Sequence, residues 1–315
     1  MRAITMREFG GPEVLELAEV PDPEPRGGHL LVNVTRAGVN YADVHVRGNT
    51  YLAPVELPYI PGNEIVGTTE DGRRVVALTR GGGYAEKTLV HRKVAFDVPD
   101  DITDEQAVAL ALQGNSAWHL LFGAAQVTAG QTVLIPAAGG GLGSLAVQLA
   151  EQAGARVIAM AGTEAKRRLA ADLGAAAVVD SSTPEGLTER ILDAAGGPVA
   201  AALEMTGGAT FHATLAAVAP RGRLAVYGYA SGEAVDVPVR LLMEKSVTVS
   251  GFWLPQLYTD RHALPTSMRA LIAAVRSGAL RPVIGATYPL AEAARAHRAL
   301  AERTGAGKLV LTTAS

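Results

Sequence analysis

A strand, a glycine-rich turn, a helix and a second strand follow one another without a break between Thr132 and Lys166, and this order constrains the rest of the chain. Thr132 to Ile135 is β-branched and apolar with no polar alternation, as a strand covered on both faces of a parallel sheet requires. Leu142, Leu145, Leu149 and Ala153 recur at helical spacing, with Gln148, Glu151 and Gln152 between them and Gly154 as the stop. Arg156 to Met160 is the second strand. Between strand and helix lie Gly139, Gly140, Gly141 and Gly143. A turn with positive φ, and a phosphate brought against backbone amides, both exclude a Cβ, so glycine is the residue this chemistry selects. The helix N-terminus behind the turn adds free amides and about half a positive charge. The unit predicts a dinucleotide site at Ala138, Gly139, Gly140, Gly141 and Leu142. A plain strand-to-helix connection is the bland alternative.

The end of the second strand selects the cofactor. A site for NAD places Asp or Glu there, about 20 residues beyond the glycines, to hold the ribose 2′-hydroxyl. This strand ends Ala159, Met160, Ala161, Gly162, and Thr163, Lys166, Arg167 and Arg168 come directly after. A hydroxyl and a cation beside that ribose suit a 2′-phosphate, so Gly162, Thr163 and Lys166 predict NADPH (NADP). The alternative is that Lys166 to Arg168 are only the solvated first turn of a helix.

The 315 residues suffice for two domains, and 48% hydrophobic with 19% charged residues is globular composition. A net charge of −3 with interspersed signs leaves no basic stripe, which argues against nucleic acid or an anionic membrane as partner. The segment MRAITMREFGG lacks an apolar core of signal-peptide type and no long apolar span follows, so a cytoplasmic protein is expected. Without cysteine there is no disulfide, thiolate metal site or cysteine nucleophile.

Residues 1 to about 100 read as a small, irregular β-barrel. Strands are predicted at Arg2 to Met6, Val14 to Glu19, His29 to Ala37, Ile65 to Thr69, Arg73 to Leu78 and Ala85 to His91, with Asp71-Gly72 and Gly81-Gly82-Gly83 as turns. Helical spacing begins at Asp104 to Leu112 and Ser116 to Phe122. Beyond the glycine turn the alternation continues with helix Ala165 to Leu173, strand Ala176 to Val179, and helix Pro184 to Ala195 capped by Thr183. Strands Ala200 to Met205, Arg223 to Tyr227 and Ser246 to Gly251 complete a doubly wound α/β sheet. A helix at Thr266 to Ser277 and a strand at Lys308 to Leu311 close the chain.

The β-rich start, the AAGGGLG turn, AGVNYADVHVRGNTY at 37–51 and the GKLVL near the end resemble the medium-chain dehydrogenase/reductase superfamily. The match is to its zinc-independent, zeta-crystallin-like quinone oxidoreductase branch. That resemblance implies a GroES-like β-barrel catalytic domain from 1–113 and 282–315, and a Rossmann NADPH-binding domain from 114–281. It also implies a homodimer paired through the Rossmann edge strand. Where zinc alcohol dehydrogenases carry Gly-His-Glu, this chain has Gly62-Asn63-Glu64, and the seven histidines show no paired ligand spacing, so no metal is expected.

Carried over residue by residue, the resemblance marks Asn40 and Asp43 as an Asn-x-x-Asp segment near the nicotinamide, although both could equally cap a helix start. Tyr51 corresponds to the proton donor of related enoyl-thioester reductases, or it walls the pocket. Arg47 is expected to pair with Asp43. Trp118 stands where relatives carry a tyrosine beside the cofactor, and Ser181 where some carry one near the adenosine phosphate. Met205, Tyr227 and Gly228 sit at strand carboxyl ends, Phe252, Trp253 and Leu254 follow the last sheet strand, and Lys308 matches the family's Gly-Lys. The resemblance implies an NADPH-dependent, metal-independent oxidoreductase that reduces a quinone or similar electron-poor conjugated carbonyl. YLAPVELPY at 51–59 suggests an apolar, aromatic or polycyclic acceptor. The alternatives are an enoyl reductase with Tyr51 as acid, and an NADPH-binding sensor, structural or RNA-binding protein with little turnover.

Overall fold

The computed structural model describes residues 1–313. It divides into two compact units, Met1–Asn115 with Leu257–Gly278 and 282–313, and Ser116–Gln256 with Ala279–Arg281.

The first unit begins with β1 (Arg2–Thr5) antiparallel to β2 (Glu16–Glu19). The second strand starts later than expected because Pro12–Val14 coils into a 3₁₀ turn with proline at its start. The spine is β3 (His29–Val39), followed by α1 (Tyr41–Arg47), β4 (Glu64–Thr69), β5 (Arg74–Leu78), β6 (Lys87–His91) and β7 (Ala95–Asp97). The β4–β5 hairpin turns at Asp71-Gly72, where Gly72 takes φ +82°. Helix α2 (Asp104–Ala109) is capped by Thr103, which exchanges hydrogen bonds with Gln106.

The helix expected to run on to Leu112 widens at 110–114 into π-helical turns, continues as α3 (Asn115–Trp118), and widens again at 119–124. One cause is local. The Leu112 amide leaves the helical ladder to donate to the Glu64 carboxylate at 2.7 Å.

The second unit is a six-stranded parallel sheet. In chain order it runs β8 (Thr132–Ile135), α4 (Gly141–Gln152), β9 (Arg156–Ala161), α5 (Glu164–Asp172), β10 (Ala177–Asp180) and α6 (Leu187–Ala195). Then follow β11 (Val199–Glu204), α7 (Gly208–Ala217), β12 (Val218–Val226), α8 (Val239–Lys245) and β13 (Thr248–Gly251). The spatial order β10-β9-β8-β11-β12-β13 is that of a doubly wound fold, reversing between β8 and β11. Its core holds Leu134, Ile158, Met160, Ala202, Phe211, Leu215 and Leu224.

Two elements differ from expectation. Thr183 does not cap α6, because 184–186 form a turn closed by Leu187 N–H to Pro184 O and Gly186 takes φ +63° as the N-cap. The edge strand β13 starts at Thr248 because 239–245 coil into α8, ended by Ser246 at φ +53°.

The chain then passes through α9 (Ala263–Arg276), β14 (Ile284–Pro289), α10 (Ala293–Ala301) and β15 (Lys308–Thr312). The family resemblance places 257–278 in the 114–281 Rossmann domain. Packing groups Leu257–Gly278 with the first unit, where the Ser267 hydroxyl of α9 donates to buried Asn115. The last strand lies antiparallel on β3, Leu309 opposite Val39, and gives the seven-stranded sheet the order β14-β15-β3-β4-β5-β7, with β6 also on β3. Ile4, Val32, Ile65, Val75, Val90, Leu309 and Leu311 form its core. Among the described residues no helix is long and apolar enough to cross a membrane.

Candidate active site

Because every pairing in the second unit is parallel, the carboxyl ends of its strands share one edge. That edge gathers the expected cofactor residues. Ala138 to Leu142 follow β8, Gly162, Thr163 and Lys166 follow β9, and Ser181 follows β10. Met205 follows β11, Tyr227 and Gly228 follow β12, and Phe252, Trp253 and Leu254 follow β13. Trp118 lies in α3 with its ring edge-on to Phe122, centroids 4.8 Å apart.

The turn after β8 admits no side chains at two points. A Cβ on Gly143 would stand 2.3 Å from the Ala137 carbonyl oxygen, so α4 packs this tightly on its strand only with glycine there. A Cβ on Gly139 would stand 2.6 Å from Cβ of Lys166, so the start of α5 lies directly beside the turn. Gly140 is the N-cap of α4, and the first amides of the helix behind it have no helical carbonyl to bind. Thr163 caps α5 through the Lys166 amide, Arg167 pairs with Asp180, and Arg168 pairs with Glu164. A cradle a Cβ would fill, free amides and a neighbouring lysine fit a pyrophosphate with a further phosphate beside it.

The first unit holds a buried polar network. Lys308, at the start of β15, is fully buried and has one acceptor for each of its three protons: Val39 O at 3.2 Å, Asn40 Oδ1 at 2.8 Å and Glu64 Oε1. Asn40 Nδ2 donates to the same Glu64 oxygen at 2.8 Å, and Gln113 Nε2 donates to Asn40 Oδ1 at 3.1 Å. The Asn40 side chain is thus held from three directions. Its backbone N–H donates to Asp43 Oδ2 at 2.9 Å, so Asp43 secures the start of α1.

Asp43 is 1% exposed and also accepts from Asn63 Nδ2 at 2.7 Å and Tyr84 Oη at 3.2 Å. Burial pushes its carboxyl up to about 7, against the lowering pull of the Asn40 amide and Lys308. The ion pair expected between Arg47 and Asp43 is absent from the described contacts. Arg47 turns away to donate to Gly10 O at 3.0 Å and to His297 Nδ1 at 3.3 Å.

His297 and Tyr84 were missed by sequence reasoning. Both are completely buried, and burial holds the imidazole down to about 3, hence neutral. Since Arg47 can only donate, Nδ1 of His297 accepts and Nε2 carries the proton, which it gives to Tyr84 Oη at 3.1 Å. The Tyr84 hydroxyl in turn donates to Asp43. A directional chain Arg47 to His297 to Tyr84 to Asp43 results.

Tyr51 packs, partly buried, with Phe9, Val55, Leu57 and Tyr59 against Met6, Val14 and Val46. Asn63 and Glu64, at the position of the zinc segment, are spent on Asp43, Lys308, Asn40 and the Leu112 amide, a donor set that does not fit zinc.

Two family models match the chain, the alcohol dehydrogenase GroES-like domain over residues 26–100 and the zinc-binding dehydrogenase over 141–274. The quinone oxidoreductase of Lama guanicoe is 32% identical, with 99% of this chain and 97% of that one covered. The quinone oxidoreductase of Pseudomonas aeruginosa is also 32% identical, with 98% and 99% covered. Among solved structures, the quinone oxidoreductase of Thermus thermophilus, described with its NADPH complex, superposes with a TM-score of 0.89 at 36% identity. That match covers 99% of this chain and 100% of the other.

Proposed function

The chain belongs to the quinone oxidoreductase branch of the medium-chain dehydrogenase/reductase superfamily, and from that membership we propose that it reduces a quinone or a similar electron-poor conjugated carbonyl without a metal. It is an NADPH-dependent oxidoreductase. Bound NADPH supplies a hydride from its nicotinamide C4.

The observation that carries the reading is Gly139 packed on Lys166 at the end of a strand that lacks a terminal carboxylate. Gly139 to Leu142 would hold the pyrophosphate, and Thr163 with Lys166 the 2′-phosphate, with Gly162 and Ser181 flanking the adenosine side. Met205, Tyr227, Gly228 and the 252–254 segment would line the nicotinamide side, with Trp118 beside it. In the first unit, Asn40 is the group the fold orients most firmly, its Oδ1 accepting from Lys308 and Gln113 and its Nδ2 donating to Glu64 and Gly38 O, so it braces the start of α1. Lys308 has no proton left for a phosphate, so it acts through Asn40. Asp43 fixes the backbone at Asn40.

The test is NADPH oxidation with a panel of 1,4-naphthoquinone, 9,10-phenanthrenequinone, an enone and crotonyl thioester, with NADH in parallel. Quinone turnover that survives Tyr51→Phe is expected. Turnover restricted to the enone or thioester, and lost in Tyr51→Phe, would make it an enoyl reductase instead. Lys166→Ala is expected to raise the NADPH KM roughly tenfold or more, the worth of one charge-assisted phosphate contact, and to leave the NADH KM unchanged. Equal effects on both cofactors would remove Lys166 from the 2′-phosphate site.

We also propose a homodimer through β13. Among the described residues the strand has β12 on one side only and Ser250 Oγ is buried without a partner, and Val239 and Met243 of the adjoining helix are 65% and 76% exposed. Sedimentation should give a dimer, and Met243→Glu with Val239→Glu should shift it to monomer. A wild-type monomer at micromolar concentration would end this assignment.

A further inference from the structure

The last residue of β11, Glu204, is a carboxylate with 0% exposure and, among the described residues, no cationic partner. A buried unpaired carboxylate is costly, so its retention calls for compensation. Part is local. Its oxygens accept from the Thr206 amide at 2.9 Å and the Gly207 amide at 3.2 Å, and Gly207 is the N-cap of α7. Burial still pushes the carboxyl above its usual range. The Thr206 and Gly207 amides, which lead into α7, are therefore spent on Glu204.

The Glu204 side chain holds the turn after β11, and backbone bonds tie that turn to the one after β12. Tyr227 N–H donates to Glu204 O at 2.9 Å, Ala230 N–H to Met205 O at 2.8 Å and Ser231 N–H to Thr206 O at 2.7 Å. These turns lie at the carboxyl ends of β11 and β12, on the far side of the point where strand order reverses. If the pyrophosphate lies on the turn after β8 and the adenosine half on the Lys166 side, the other half of a dinucleotide falls over β11 and β12. Its nicotinamide ring is cationic in NADP⁺ and neutral in NADPH. A fixed anion under those turns distinguishes the two forms.

We propose that Glu204 is a positioning residue that also biases the site towards the oxidised, cationic cofactor, so that its charge is balanced only when NADP⁺ is bound. This rests on the NADPH reading above. A residue that merely anchored the turns would affect both cofactor forms alike.

The test is the ratio of Kd for NADP⁺ to Kd for NADPH, by calorimetry and by NADPH fluorescence. Glu204→Gln keeps an acceptor for the amides and removes the charge. Charge pairs several ångströms apart in a partly screened site alter affinity by roughly five- to thirtyfold. The lower figure is expected, a fivefold rise in the ratio, since amides and helix already hold part of the charge. Glu204→Asp, with its carboxylate withdrawn by one methylene, should give a smaller rise of the same sign and covers the case in which the glutamine variant does not fold. An unchanged ratio in both variants, or equal weakening of both forms, overturns the proposal. A wild-type protein that binds neither form removes the NADPH reading itself, and the proposal with it.

Discussion

Lys308→Met is expected to be the most damaging single change in the first unit, lowering stability by about 3–5 kcal/mol. The lysine is fully buried, and its removal strands Glu64 as a charge with no cation in a dry interior. Asn40 loses one of the two donors to its Oδ1 as well. The cost is therefore that of an orphaned carboxylate, more than that of one broken contact. Adding Glu64→Gln should recover part of the loss, because a neutral amide removes the bare charge and its single oxygen still accepts from either Asn40 or the Leu112 amide, which now bond different carboxylate oxygens. The measurement is the urea midpoint of Lys308→Met, Glu64→Gln and the double variant. Strict additivity would show that the pair is not coupled.

A comparable effect is expected from pH, and it stays hidden until one of two residues is changed. His297 has a folded pKa near 3, below its usual 6.5, so the unfolded chain takes up the proton first. Its contribution to stability is complete above pH 6.5 and is lost as pH falls towards 3. Asp43 runs the other way. Its folded value of about 7 lies above the usual 3.8, so its contribution is complete below 3.8 and is lost as pH rises towards 7. Each amounts to roughly 4–5 kcal/mol at most, at 1.36 kcal/mol per pKa unit. Between pH 4 and 6.5 the two slopes oppose each other, and wild type should be nearly flat. His297→Gln should then lose stability as pH rises through this window, and Asp43→Asn should gain it. Denaturant titrations at pH 4, 5, 6 and 7 decide the matter. Parallel profiles for all three proteins would show that neither group titrates as its burial implies.

The parts of this fold that were legible in sequence are those fixed by neighbours in the chain. The turn between β8 and α4 declares itself because Gly139 and Gly143 meet constraints set within thirty residues, by Lys166 and by Ala137. Asn40 and Asp43 stand out through a three-residue spacing. The pair Tyr84 and His297 was illegible because its partners lie 213 positions apart and neither carries a local signal. The helix at 239–245 was missed since it has no buried residue to set a period. The start of α6 was misread because Pro184 suits either a first helical turn or the tight turn that forms. At 110–114 a distant carboxylate, Glu64, overrode helical propensity.

The distance between Glu64 and Lys308 has a kinetic consequence. On the ribosome, 244 residues separate the anion from the cation that neutralises it. At about 5–20 residues per second, the carboxylate waits roughly 12–50 s for its partner to be synthesised. Through that interval the barrel cannot close around Glu64 without burying a bare charge, whereas the continuous stretch 116–256 carries all six strands of its own sheet. Vectorial synthesis thus gives the nucleotide-binding half a head start, and the arrival of the final strand is the event that licenses the first half to become dry.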